Sequence, residues 1–220
     1  MIKKWKEILM VIVGSMMMGA SIDLFVQADF GLDPLSLFQA GLGRVLHLSL
    51  GTTSQVLMIS IIILLFFIDR KRIGIGSILN SVLVGAFIKW FSPVICTGGG
   101  TAAGRLLCLL AGLILMGVGI GTYVAAGLGE GGKGGPMRSW LGEAGMDAMM
   151  MYLSGKLKKN VNVTRITIDI LLSITGFLLG GKLGGATVVS MLVNGYMIQF
   201  TIELIGRFRR NKAVIEIGGQ

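Results

Sequence analysis

The sequence predicts an all-α membrane protein of six transmembrane helices plus two short amphipathic or re-entrant helices, built as a 3+3 inverted repeat. Three observations lead there. Of the 220 residues 53% are hydrophobic and 14% are charged, against roughly 25% charged in an average soluble domain. Six stretches approach the ~20 apolar residues that cross a hydrocarbon core. The chain also repeats itself: MGASIDLFVQADFG at 18–31 returns as MGVGIGTYVAAGLG at 116–129, an offset of 98 that preserves Met18/Met116, Gly19/Gly117, Ile22/Ile120 and Gly31/Gly129.

Taken in order, the first span is 8–26, preceded by Lys3, Lys4 and Lys6. It lacks an A-x-A cleavage site and is one copy of the repeat, so it is expected to be retained. Next comes a short helix of about fourteen residues, with Asp33 as N-cap and Pro34 at the first helical position. Its apolar face is expected to be Leu35, Phe38, Leu42, Val45 and Leu46, placing it on the interface or dipping into the membrane. Spans 52–68 and 74–95 follow, separated by Arg70, Lys71 and Arg72, and span 106–126 opens the second copy. Residues 130–144 form a Gly-rich insertion that reads as mobile. Asp147 is expected to cap the second short helix, so that Gly31/Gly145, Asp33/Asp147 and Gly41/Gly155 correspond at an offset of 114. Spans 163–180 and 186–205 complete the second copy, and 74–90 matches 184–200 without a gap.

This gives a first repeat over 1–102, a second over 103–206 and a basic tail over 207–220. With the N-terminus inside, sixteen of the twenty Lys and Arg residues fall on the inner face. The outer face keeps Arg44, Arg105 and Lys182, with Lys89 near the outer end of the third span. Such a bias is the ordinary topology signal of cytoplasmic-membrane proteins, and it places both termini in the cytoplasm. Three spans per copy is an odd number, so the second copy enters from the opposite side, as in many transporters.

The order of GLDP, the basic loop before GIGSILNSVLVGAFI, GTYVAAGLG, GMDAMM and the final LLGGKLGGATVVSMLVNG resembles the YczE/YyaS/YitT family of bacterial membrane proteins. That resemblance spans nearly the whole chain. It implies an integral protein of the bacterial cytoplasmic membrane and says little about substrate.

Ionisable groups inside spans are costly, so each is a candidate for function. Asp23 sits near the outer end of the first span, where a carboxylate either reaches interfacial water or binds a cation or proton. Arg165 and Asp169 lie four apart on one helix face, either as a structural pair or as an anion-binding Arg held by its neighbour; Gln55 stands at roughly the matching place in the first copy. Asn80 and Asn194 lie along the third and sixth spans and serve either interhelical hydrogen bonds or a polar pathway. The two Asp-capped helix N-termini could also meet near the membrane middle and hold an anion, although the Asp charges compete for the same amides.

No catalytic set, metal-ligand spacing or cofactor loop is present in the sequence; the Gly runs at 98–100 and 129–135 lack a strand-helix context. Cys96 and Cys108 read as small apolar residues, and His47 as an interfacial histidine. The bases flank hydrophobic segments, so the formal charge of +9 points to topology rather than to nucleic acid. The leading expectation is a small secondary transporter or permease for a small solute or ion, with a channel and a membrane scaffold acting through partners as rivals. Its partners are the bilayer, that solute and, given the short chain, a second copy of itself.

Overall fold

A computed structural model describes residues 2–95, 100–128, 141–159 and 161–218. The described residues form eight α-helices: α1 Ile2–Ala28, α2 Pro34–Leu46, α3 Leu50–Ile68, α4 Ile75–Ile95, α5 Ala102–Leu128, α6 Gly145–Leu157, α7 Val161–Leu178 and α8 Gly185–Gly218. Five of them, α1, α3, α4, α5 and α8, are long and apolar enough to cross a membrane. The sixth predicted span is the helix α7, which carries Arg165 and Asp169, is the shortest of the six and is not among the five. The predicted tail is a continuation of α8, helical as far as Gly218. Cys108 is a free, half-buried thiol, and Cys96 lies outside the described residues.

The core forms where α1 crosses α5. A Cβ built on Gly14 would lie 2.8 Å from Gly119 O, and one on Gly119 would lie 2.9 Å from Gly14 O. Further along the crossing Ser21 Oγ donates to Gly112 O at 2.8 Å. Gly112 matches Gly14, and Gly119 matches Ser21, at the offset of 98, so the contact is repeated with its partners exchanged. On the flanks α1 packs on α4 through Gly19 against Phe87, and α5 packs on α8 through Gly117 against Met197. Without much drive from hydrophobicity inside lipid, such small-residue contacts supply the close packing.

The segments before the two short helices cross over in the same manner. Phe30 O accepts from Ala186 N at 3.0 Å, and Leu141 O accepts from Ser77 N at 2.9 Å. Gly31 (φ 104°) lies against Gly184, and Gly142 (φ 71°) lies against Gly74. Both glycines combine a left-handed φ with a backbone neighbour where a Cβ would stand, which leaves no room for another residue. Residues 141–144 of the predicted mobile insertion are therefore well anchored: Leu141 is 1% exposed, and Tyr123 Oη donates to Gly142 O at 3.3 Å. Residues 130–140 of that insertion lie outside the described residues.

This crossing corrects the register of the second short helix. The N-cap of α6 is Ala144, whose side chain accepts no bond, and Asp147 sits within the first turn rather than capping it. Helices α2 and α6 each have thirteen residues and each stop at a left-handed residue, His47 (φ 53°) and Lys158 (φ 51°). Matching these ends gives an offset of 111, not 114, and pairs Gly31 with Gly142 and Ser36 with Asp147. The offset of 114 rests on Gly and Asp letters alone; backbone contacts at Gly142 decide otherwise.

Helix α2 turns its small and polar side inward. Its buried residues are Pro34, Ser36, Leu37, Gln39, Gly41 and Gly43, while Val45 and Leu46 are exposed. Gly41 accounts for part of this, since a Cβ there would lie 2.5 Å from Gly176 O, the point where α2 docks on α7. The small and polar face is thus inside and much of the apolar face is out.

Candidate functional site

A central cavity of about 140 Å³ lies among α1, α2, α3, α4, α5, α6, α7 and α8. A water needs roughly 10–15 Å³ on the same measure, so the space is several times larger than one trapped water requires. The first turns of both short helices open on it: Asp33 and Ser36 from α2, Met146 and Asp147 from α6. Local sequence explains one of these. Asp33 Oδ2 accepts from Ser36 N at 3.3 Å, and Pro34 at the first helical position starts the helix without a wasted donor.

The walls come from matching positions of the two copies. Met18 and Ile22 of α1 face Met116 and Ile120 of α5. From the short helices come Ser36 with Asp147 and Gln39 with Met150, each pair at the offset of 111. Ser54 and Met58 of α3 stand opposite Arg165 and Asp169 of α7, again at 111. Asn80 and Val84 of α4 pair with Ser190 and Asn194 of α8 at 110. The position matching Arg165 is thus Ser54; Gln55 turns away, donating to Val82 O at 2.8 Å and accepting from Lys89 Nζ at 2.7 Å.

Charge is unevenly shared. Three carboxylates, Asp33, Asp147 and Asp169, face one guanidinium, Arg165. Arg165 Nε and Asp169 Oδ2 are 4.0 Å apart, a loose pair that leaves both groups turned to the cavity. Asn80 Oδ1 accepts from Ser15 Oγ at 2.8 Å, which ties that side chain to α1. By contrast Asp33 Oδ1, Gln39 Oε1 and Asn194 Oδ1 are buried acceptors without a hydrogen-bond partner. Six methionines, at 18, 58, 116, 146, 150 and 191, supply much of the apolar lining.

Of the predicted site residues, Arg165, Asp169, Asn80, Asn194, Asp33 and Asp147 come together here. Asp23 does not: it is 1% exposed on α1, away from both interfacial water and the cavity. Sequence reasoning missed Ser36, Gln39 and Ser54. A lone Gln on a short amphipathic helix and a lone Ser in a span carry no signal.

Two ion-pair clusters stand apart from the cavity. Asp29 pairs with Arg105 at 2.7 Å and with Lys182, which together hold its carboxyl below the usual range. Arg44 Nη1 donates to Gly180 O at 2.6 Å nearby. The other cluster joins Arg72 to Asp69 at 3.0 Å and to Glu143 at 3.1 Å. Burial nevertheless pushes the Glu143 carboxyl up, against the pull of Arg72.

Comparison with known proteins gives kinship without an activity. The chain is 26% identical over 190 residues, covering 86% of it and 82% of the relative, to an uncharacterized membrane protein, YczE, of Bacillus subtilis (strain 168). It is 24% identical over 205 residues to an uncharacterized protein of Haemophilus influenzae, covering 93% and 87% of the two chains. Identity to YyaS of Bacillus subtilis, also uncharacterized, is 18% over 197 residues, covering 89% and 92%. No solved structure matches. A family of unknown function, DUF6198, matches residues 5–131, more than half of the chain. With its apolar helices and these relatives, the chain is a multi-pass membrane protein, and it belongs to the DUF6198 family, kin of the YczE and YyaS proteins that its motifs resemble.

Proposed function

We propose that the chain is a small secondary transporter or permease of the bacterial cytoplasmic membrane, with α7 as the sixth span, both termini cytoplasmic and the two copies inverted. The carrying observation is that one cavity is walled by the same positions of both copies, at offsets of 98, 110 and 111. A site on the axis between inverted repeats can be opened to either face by exchanging the conformations of the two halves. In this reading α2 and α6 are re-entrant, entering from opposite faces with their first turns at the cavity. The inward polar face of α2 supports that placement, because lipid tolerates an apolar outside and a polar inside.

The proposal is tested by access. In a background with Cys96→Ala and Cys108→Ala, Ser54→Cys should react with a membrane-impermeant thiol reagent both in whole cells and in inverted vesicles. A second reporter, Thr101→Cys, should react from one side only. Ser54→Cys reacting from neither side, or from one alone, sinks the transport reading and favours a scaffold.

A further inference from the structure

The cavity also indicates what it holds, and this step rests on the transport reading above. We infer that the ligand is a small organic cation with an N–H-bearing ammonium head and an apolar body.

Three features support this class. The lining carboxylates Asp33, Asp147 and Asp169 outnumber the single cation Arg165 by two, so the site has net negative character when these groups are ionised. An anion would meet that charge and two helix ends whose nearest groups are already carboxylates. Second, the buried acceptors Asp33 Oδ1, Gln39 Oε1 and Asn194 Oδ1 lack donors, and the side chains that carry them are 7%, 2% and 7% exposed. Buried polar groups are nearly always satisfied, so three unpartnered acceptors on residues that line one space favour a ligand that brings donors, met by a turn of those side chains. An ammonium is all donor.

Third, the carboxylates do not converge. Among the described residues no group of three or more side chains is placed to hold a metal ion. Charge spread around a methionine-walled space suits a head group anchored at one side with hydrocarbon lying along the thioethers. Methionine is flexible and polarisable, so such a wall adapts to more than one body shape. Arg165 then has a balancing role, offsetting part of the carboxylate charge when the site is empty.

The test uses three probes of nearly the same shape: n-butylammonium, n-butanol and butyrate. With the full chain purified in detergent at neutral pH, n-butylammonium should raise the unfolding midpoint by several degrees, and the alcohol and the carboxylate should not. Removing a single anchoring charge, in Asp33→Asn or Asp147→Asn, should weaken n-butylammonium binding about tenfold or more. If a variant does not fold, the comparison of the three probes on the wild-type chain still decides. Equal shifts from all three, a shift from butyrate alone, or none at all overturns the cation assignment. Failure of the transport reading shows separately: Ser54→Cys would then be inaccessible from one or both sides whatever the probes do.

Discussion

At the scale of single residues, the most exacting positions are those where backbone meets backbone. Gly31→Ala and Gly142→Ala each put a Cβ on a left-handed residue and against a glycine of the facing segment. The conformation alone costs on the order of 1–2 kcal/mol, so both variants should unfold at clearly lower temperature. Gly195→Ala, where nothing lies within 4 Å, serves as the control and should lose no stability. A second residue-scale expectation concerns Arg72. Burial raises the folded-state pKa of Glu143, so the stability its neutral form provides is present at acid pH and lost as pH rises through that value. Removing the nearby cation raises it further. Arg72→Leu should therefore cost about 1–3 kcal/mol in mildly alkaline buffer and much less near pH ~5, read as the change in unfolding midpoint across that range.

Single residues were also where the sequence was most ambiguous. Arg165 and Asp169 were legible as a pair because charge in an apolar run is rare, but their meeting with Asp33 and Asp147 depends on three helices and is invisible locally. Asp147 was misread as a cap because helix caps and first-turn acids use the same residue type. Asp23 was read either as reaching interfacial water or as binding a cation or proton; it is buried on α1, which removes the first of these.

At the scale of elements, α2 shows why periodicity alone fixes a helix and not its orientation. Its ends and cap were readable from Asp33 and Pro34, and the helix Pro34–Leu46 follows. Which face turns inward was not, since in lipid the apolar face seeks the solvent and in water it avoids it. The decisive residue is Gly41, whose closeness to Gly176 fixes α2 against α7. Gly41→Val should lift α2 from α7, with a loss of about 1–3 kcal/mol and faster proteolysis in the 47–50 connection. Val45→Ala, on the exposed face, should leave both measurements nearly unchanged.

At the scale of the molecule, the repeat was legible because it is written in glycines, and glycines mark the places where helices touch. Composition and base distribution then gave the class and a topology to test. What escaped the sequence is an inequality between the copies. Helix α3 clasps α4 closely, with Gly85 against Gly51 O and the Gln55 side chain, whereas α7 leans on α2 and barely meets α8, leaving the matching Gly195 open.

If the two copies exchange arrangements, as the transport reading requires, their different rest implies a bias, and the α3–α4 clasp sets how heavily the molecule favours the arrangement seen. The bias should be adjustable without touching the cavity. Gly85→Leu, which wedges the clasp apart, should increase the population with α7 drawn onto α8, seen as a second, shorter distance between spin labels on those two helices. An unchanged single distance would mean that the inequality is built in, and that the resting arrangement is the only one the chain adopts.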